Sequence, residues 1–559
     1  MLAKVKKAAA SPLGVTLVPG GANVAVWSAH ATQIFFCTFD EHDHETSRVA
    51  LTQRVGDVHF DFVNGVGSGT RYGLRAQGPW APEQGVLFDD SKVLLDPYAF
   101  HLSGSFSYSY HLGERHYDTA ALVAKAVVMP APEDVVLKPA SEPQFIYELQ
   151  VKSFTKLHPD VPVAQRGTVA ALKHPSIIAH LKSIGVDTIE LMPITAWIDE
   201  RHLAALELSN AWGYNPVSFF APDPRLAPGG LEEIRDTVAE LHVHGFQVIL
   251  DLVFNHTGES DVFGPSVSFR GLDHSSYYRL YNGQLANDAG CGNTVALDKP
   301  HNVQLVAAAL RHWVLKCGID GFRFDLATIM GRRDDGFDSY APLLLAIESD
   351  PILSTRIMIA EPWDVGPGGY QLGNFPPRWY EWNDRYRDDV RRFWRGDDYS
   401  ANALATRITG SSDFFQRKNR ATKSINFLAA HDGFTLRDLT EYRVKYNFAN
   451  GENNRDGKRD EITCLAVDLK ALLATLLLSR GVPMLTAGDE FGRTQSGNNN
   501  AYAQDNEITW LDWQDSNSEL SAWVGRLAAL RRSQPLIDTF KFLSSKPEEG
   551  DVLAHWFGA

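Results

Sequence analysis

The chain has 559 residues and only four cysteines. Cys37, Cys291, Cys317 and Cys464 lie far apart and form no CxxC pair. That excludes a disulfide framework or a zinc ribbon and reads as buried thiols in a reducing compartment. Basic residues are outnumbered, 53 against 68 acidic, for a formal net charge of −15. Nucleic acid needs a positive footprint, so it is excluded as a partner. No apolar run is long enough to span a bilayer, and no such run follows the lysines at 4, 6 and 7. No membrane partner is expected, and the cytoplasm is the expected location. A Gly-rich phosphate loop, a Ser–His–Asp order and metal-ligand spacing are all missing, so no cofactor and no metal are expected.

What is present is length and pattern. A single core stops growing at about 250–300 residues, so two or three domains are expected. Residues 14–112 carry short runs of β-formers: Val15–Leu17, Val24–Trp27, Ile34–Phe39 and His59–Phe62. Gly, Asn and Asp turns separate them, which predicts an all-β sandwich. Pro130 to Pro143 lacks periodicity and reads as a linker.

Beyond it the pattern alternates. Strands are predicted at Phe145–Val151, Val186–Met192, Phe246–Phe254, Gly321–Asp325, Ile357–Glu361, Ile425–Asp432 and Met484–Asp489. Helices are predicted at His174–Gly185, Leu231–His244 and Val303–Lys316, with Gly185, Gly245 and Gly318 as stops. Apolar strands without polar alternation suit a parallel sheet buried on both faces. The repeat predicts a TIM-type (β/α)₈ barrel with long insertions, its sixth strand hidden in the Gly/Pro/Trp-rich stretch 366–397. The expected organisation is a sandwich and linker over 1–140, a barrel over 141–537 and a short C-terminal β remnant over 538–559.

The ends of four predicted strands carry the chemistry. They read Asp251 to Asn255-His256, Arg323 to Asp325, Glu361-Pro-Trp363-Asp364, and His431-Asp432. Active sites of such barrels are built on the C-terminal rim from several strand ends. A lone Asp at a strand end is usually a cap or a turn residue. Convergence of Asp325, Glu361 and Asp432 with Arg323 and two histidines changes that reading. Arg323 lies two residues before Asp325, on the same barrel face, and can pair with it. Carboxylates flanking one bond suit glycosidic cleavage: a nucleophile, and a neighbouring acid with a raised pKa. Aromatic clusters such as Trp379–Trp382 offer flat faces for sugar rings, although most of the 13 tryptophans are expected in the core.

These strand ends resemble the signature regions of the α-amylase family, glycoside hydrolase family thirteen. WGYNPVSFFAPDPRLAPGG (212–230), GFRFDLA (321–327), IAEPWDVGPGGYQLGNFPP (359–377), EWNDRYRDDVRRFWRGD (381–397), TGSSDFF (409–415), AAHDGFTLRDL (429–439), NGENNRDG (450–457) and GNNNAYAQDNEITWLDW (497–513) resemble bacterial glycogen debranching enzymes and isoamylases. YGLRAQGPW (72–80) and KVLLDPYA (92–99) resemble their N-terminal carbohydrate-binding sandwich. The resemblance implies Asp325 as nucleophile and Glu361 as acid/base. It implies that Asp432 holds the 2- and 3-hydroxyls of the −1 sugar and that Arg323 positions Asp325. His256 and His431 would bind that sugar, Tyr214 would stack on it, Asp251 would support the site from behind, and Trp363 would contact substrate. The implied partner is an α-glucan: glycogen, limit dextrin or branched malto-oligosaccharides. The implied reaction is hydrolysis of α-1,6 branch links through a covalent glycosyl-Asp intermediate. A 4-α-glucanotransferase, a trehalose-pathway debranching enzyme and a non-catalytic glucan-binding protein stand as alternatives. Asn255 sits where some amylases bind calcium, but oxygen-rich clustering is missing around it, and metal-independent activity is expected.

Two stretches depart from the resemblance. After NGENNRDG, Lys458–Cys464 leads quickly into a helix predicted at Leu465–Leu478, where the family runs through a longer loop on the substrate side. Relatives end in a β-sandwich of about one hundred residues, whereas only Asp538–Ala559 follows here. Uncovered apolar barrel surface would then favour a homo-oligomer.

Overall fold

The computed structural model describes residues 8–416 and 421–542. The β-formers of the first part pair as two four-stranded antiparallel sheets. One sheet runs Gly14–Val18, Gly21–Trp27, Val58–Asn64 and Gln53–Val55. The other runs Ala126–Val127, Arg71–Gln77, Gln33–Phe39 and Glu45–Ala50. Alternate residues such as Val24, Ile34, Phe36 and Leu74 are buried between the sheets. That is the inward half of a period-two pattern.

The second part closes into a parallel barrel of eight strands in sequential order. They are β1 Ile146–Leu149, β2 Thr188–Leu191, β3 Gln247–Leu252, β4 Gly321–Phe324, β5 Ile357–Ala360, β6 Tyr380–Trp382, β7 Ser424–Asn426 and β8 Val482–Thr486. The outer layer includes α1 Pro175–Ile184, α2 Gly230–Val243, α3 Pro300–Cys317, α4 Pro342–Ser349, α5 Asp384–Arg395, α6 Leu469–Leu477 and α7 Ser518–Ser533. Ile177, Ile178, Leu181 and Ile184 are the buried face of α1, as its period predicts. Gly185 and Gly318 end α1 and α3 in the left-handed region, at φ 81° and 77°, where a side chain is disfavoured.

Several boundaries differ from the sequence reading. The first strand stops at Leu149, because Val151 already begins a short helix through Thr155. The seventh covers only Ser424–Asn426, so His431 and Asp432 lie on the loop beyond it. The helix after the 458–464 loop is Leu469–Leu477, capped by the Asp468 side chain accepting from Lys470 N–H. The sixth strand was hidden because it has only three residues and no helix precedes it: the connection from β5, 361–379, is loop throughout. Cys37, Cys317 and Cys464 are buried, whereas Cys291 is exposed, on a loop whose turn leaves its residue at the surface. Within the expected C-terminal remnant, 538–559, Lys541 is bridged to Ala421, and from residue 543 onward it lies outside the described residues.

The barrel interior is filled by Ile146, Ile249, Ile357, Ile359, Tyr380, Trp382, Ile425, Val482 and Met484. It is a plug, not a channel, so substrate can enter only at a rim. The sandwich docks on the β3–α3 insertion. There the buried carboxylate of Asp273 accepts from Ala29 N–H at 2.8 Å and His30 N–H at 3.0 Å. Trp27 stacks on His301 with ring centroids 3.7 Å apart. No helix among the described residues is long and apolar enough to cross a membrane.

Candidate active site

Parallel register sets the site. Asp251 on β3 is paired with Arg323 on β4, and Arg323 with Ile359 on β5. Residues level with one another in a parallel ladder point to the same face, so these side chains enter the barrel together. Glu361 follows β5 by one residue, and Asp325 follows β4 likewise.

Arg323 is the hub. It is fully buried, lies over Trp382 at 4.3 Å, and reaches three carboxylates. Its Nη1 donates to both Asp251 oxygens at 2.9 Å and meets Asp325 Oδ1 at 3.3 Å. Its Nη2 lies 3.2 Å from Glu361 Oε2. A buried guanidinium is costly unless paired, and here it is paired by design of the strand register.

Asn255 completes the hold on Asp325. Its Nδ2 donates to the Asp325 carbonyl and to Oδ2, both at 2.8 Å, while its Oδ1 lies 2.6 Å from His256 Nδ1. Both ends of this amide are thus engaged within the site. Among the described residues no group of three or more His, Cys, Asp or Glu is arranged to hold a metal ion.

Leu326, directly after Asp325, adopts φ 40°, a left-handed conformation that costs a non-glycine residue energy. The twist turns its N–H onto Glu361 Oε2 at 2.6 Å. Ala327 N–H donates to the Glu361 carbonyl at 2.9 Å. Burial pushes the Glu361 carboxyl up to about 8; Arg323 opposes this and Asp325 reinforces it. A carboxyl still protonated near neutral pH is what a general acid requires.

His431 and Asp432 come together beside them. Burial works against a charged imidazole, but the Glu148 carboxylate, 2.7 Å from His431 Nδ1, and nearby Asp432 outweigh it and bring His431 up to about 9. Burial likewise disfavours the Asp432 anion, yet His431, Arg387 and Arg323 hold its carboxyl below the usual range. Tyr214 stacks on His431 at 4.8 Å between centroids and donates its hydroxyl to Asp251. Burial pushes Asp251 up to about 6, moderated by Arg323. His256 is buried, its Nε2 2.9 Å from the Tyr214 carbonyl. Trp363 is half-buried and packs against the barrel-filling cluster.

All nine residues read from the sequence therefore sit around one rim. Trp363 is the least engaged, packing on the barrel plug rather than bonding to the carboxylates. A cavity of about 450 Å³ leads away from Tyr214 and His256, past Glu200, His202, Ser260 and Asn287.

Sequence reasoning missed Glu148 and Glu190. They are opposite each other on β1 and β2 and fully buried. Glu148 holds His431 and accepts from Thr486 Oγ1 at 2.8 Å. Burial, with Glu148 and Asp251 nearby, pushes the Glu190 carboxyl well above the usual range, so it serves as a neutral floor. A lone acid inside an otherwise apolar strand was the available signal. Glu461 was missed as well. It is paired with buried Arg391 at 3.0 Å and accepts from Phe434 N–H at 3.1 Å, just past Asp432.

Two stretches match known protein families. Residues 12–99 match carbohydrate-binding module 48, the isoamylase N-terminal domain, and residues 176–296 match the α-amylase catalytic domain. The glycogen debranching enzyme of Klebsiella pneumoniae is 45% identical, covering 98% of this chain and 87% of that relative. Its counterpart from Salmonella paratyphi A is 44% identical over the same shares. The type I pullulanase of Bacillus subtilis, solved with maltose, superposes with a TM-score of 0.72 at 24% identity. That match covers 94% of this chain and 72% of the pullulanase. The pullulanase of Paenibacillus barengoltzii, solved with maltohexaose and α-cyclodextrin, gives 0.69 at 22% identity, over 94% and 81% of the two chains.

Proposed function

The chain belongs to the glycogen debranching enzymes of the α-amylase family, and from that membership we propose how its rim residues divide the work. It is a retaining glycoside hydrolase of α-1,6 branch links. In the first step an Asp325 carboxylate oxygen bonds to the anomeric carbon at the branch. The bond from that carbon to O6 of the main-chain glucose breaks, and Glu361 gives O6 its proton. In the second step the Glu361 carboxylate takes a proton from water. The water oxygen bonds to the anomeric carbon, and the glycosyl–Asp325 ester opens. Two displacements on one carbon return the original configuration.

The observation that carries this reading is Arg323, whose two terminal nitrogens face Asp325 and Glu361 separately. Retention needs the two carboxyls only about 5 Å apart, and contact with one guanidinium, at 3.3 and 3.2 Å, keeps them close together. Asp432 and His431 bind the 2- and 3-hydroxyls of the sugar being distorted, Tyr214 stacks beneath it, and His256 lines its far side. Asp251 and Asn255 position Arg323 and Asp325. Trp363 contacts the sugar on the leaving side. The substrate is a branched α-glucan, glycogen or its limit dextrin.

The test is digestion of glycogen, phosphorylase-limit dextrin, pullulan and linear maltoheptaose, with products separated by chain length. Short linear chains should leave glycogen and limit dextrin while maltoheptaose stays intact. Redistribution of maltoheptaose into longer and shorter chains would overturn hydrolysis in favour of transfer.

A further inference from the structure

The segment after the short helix Asp438–Glu441, which follows Asp432 along the chain, reverses the usual burial order. Val444, Tyr446 and Phe448 are 71%, 61% and 56% exposed, while Lys445, Asn447 and Asn450 between and beyond them are 9%, 0% and 0% exposed. A buried polar residue and an exposed large apolar one are each informative, and here they alternate along one strand of loop. The buried members are fully used. Lys445 Nζ donates to the carbonyls of Asp456 and, at 3.2 Å, Gly457. Asn447 and Asn499 exchange hydrogen bonds at 2.9 Å, Asn450 donates to Asn500 O at 2.8 Å, and Tyr446 N–H donates to Gly497 O at 2.7 Å. This amide base holds the aromatic rings outward rigidly, Tyr446 and Phe448 edge to face at 5.1 Å.

The base is tied to the catalytic rim on two sides. Asn499 O accepts from Gly433 N–H at 3.0 Å, the residue after Asp432. On the other side Gly451 abuts Leu206, itself 39% exposed, and Glu452 accepts from Tyr502, whose hydroxyl lies 2.6 Å from His202. His202 lines the cavity that opens from Tyr214 and His256.

We propose that Tyr446 and Phe448 form an α-glucan-binding shelf outside the catalytic cleft, which holds a linear stretch of the polymer while a branch occupies the cleft. A glucan strand is neutral, with flat C–H faces that stack on aromatic rings and hydroxyls that reach flanking polar groups. Continuity with the cleft through Leu206, Tyr502 and His202 selects that occupant over a protein partner. The proposal rests on the branched-glucan reading of the same chain.

The test is the double variant Tyr446→Ser, Phe448→Ser, assayed on phosphorylase-limit dextrin and on a small singly branched oligosaccharide. The KM for limit dextrin should rise about tenfold with kcat unchanged, and both constants on the small substrate should stay within twofold. An unchanged polymer KM, or equal loss on both substrates, overturns the shelf. In a separate Phe448→Trp variant, titration with maltoheptaose should shift the tryptophan emission saturably, and a flat titration overturns it. Concentration-dependent dimerisation that the double variant abolishes would assign the patch to a second copy instead. If the unaltered protein releases no chains from limit dextrin, the branched-glucan reading fails, and the tryptophan titration still decides glucan binding.

Discussion

Glu361 shows how one residue couples stability to chemistry. Its carboxyl is pushed up to about 8 chiefly by burial, so the folded protein holds a proton there that the unfolded chain gives up near 4.5. Its stabilising contribution is therefore complete below about pH 4.5 and is lost as pH rises towards 8. At pH 7 the loss amounts to about 3 kcal/mol. Glu361→Gln, which carries no such proton, should unfold at a higher temperature than the unaltered protein at pH 7. The two should converge near pH 4, as calorimetry across pH would show. The same variant should lose several orders of magnitude in kcat, because on the proposed roles both the proton donor and the later base are gone. In the unaltered enzyme kcat should fall as pH rises through about 8, since the acid form is then depleted. Asp325→Ala should abolish turnover while glucan binding persists, measured by retention on a glycogen column.

At the scale of an element, the short 458–464 loop does structural work on the catalytic loop. Glu461 accepts from Phe434 N–H and from Asn499 Nδ2, and pairs with Arg391 of α5. Glu461→Ala would leave the buried Arg391 charge without its carboxylate, bonded only to carbonyls such as that of Leu428, and Phe434 N–H without its acceptor, at a cost of about 3–5 kcal/mol. Glu461→Gln keeps one acceptor oxygen, which can serve both Arg391 and Phe434 N–H, and should cost clearly less. Because Glu461 holds Phe434, two residues past Asp432, kcat should drop with the Ala variant and recover partly with Gln, while KM moves little. Denaturant melts beside steady-state kinetics would check both halves. Strand β4 offers a second example. The left-handed turn at Leu326 is strained, and it places the Leu326 and Ala327 N–H groups onto Glu361.

For the whole molecule, the seam between sandwich and barrel is anchored by Asp273. This buried carboxylate accepts from the Ala29 and His30 amides and lies 3.0 Å from the His30 ring. Asp273→Ala would take the acceptor from the partly buried Ala29 and His30 amides at about 1 kcal/mol each, while the half-exposed His30 ring turns to water. The sandwich should then unfold ahead of the barrel, which differential scanning calorimetry would show as two resolved transitions. Activity on a small branched substrate should survive, because Asp273 touches none of the rim carboxylates. Chelation by EDTA should leave turnover unchanged, since the Asn255 amide is committed at both ends to Asp325 and His256.

Local pattern decided much of this. A sandwich with four of its eight strands, seven of the barrel strands and the glycine-stopped helices are legible because burial imposes periods of two and 3.6 on the side chains themselves. Asp325 and Glu361 are legible because each stands where an apolar strand breaks off, and Asp432 because it ends the apolar run that continues past the seventh strand. Tertiary structure alone decided the rest. The three-residue sixth strand is too short to show a period, and it exists because its neighbours on both sides supply its hydrogen bonds. The roles of Glu148, Glu190 and Glu461 depend on partners 283, 42 and 70 residues or so away along the chain — His431, Glu148 and Arg391 — a proximity no local pattern encodes. The raised carboxyl of Glu361 likewise belongs to no segment. It arises from enclosure by strands that meet only when the barrel closes, because desolvation is a property of the surrounding volume and not of the residue.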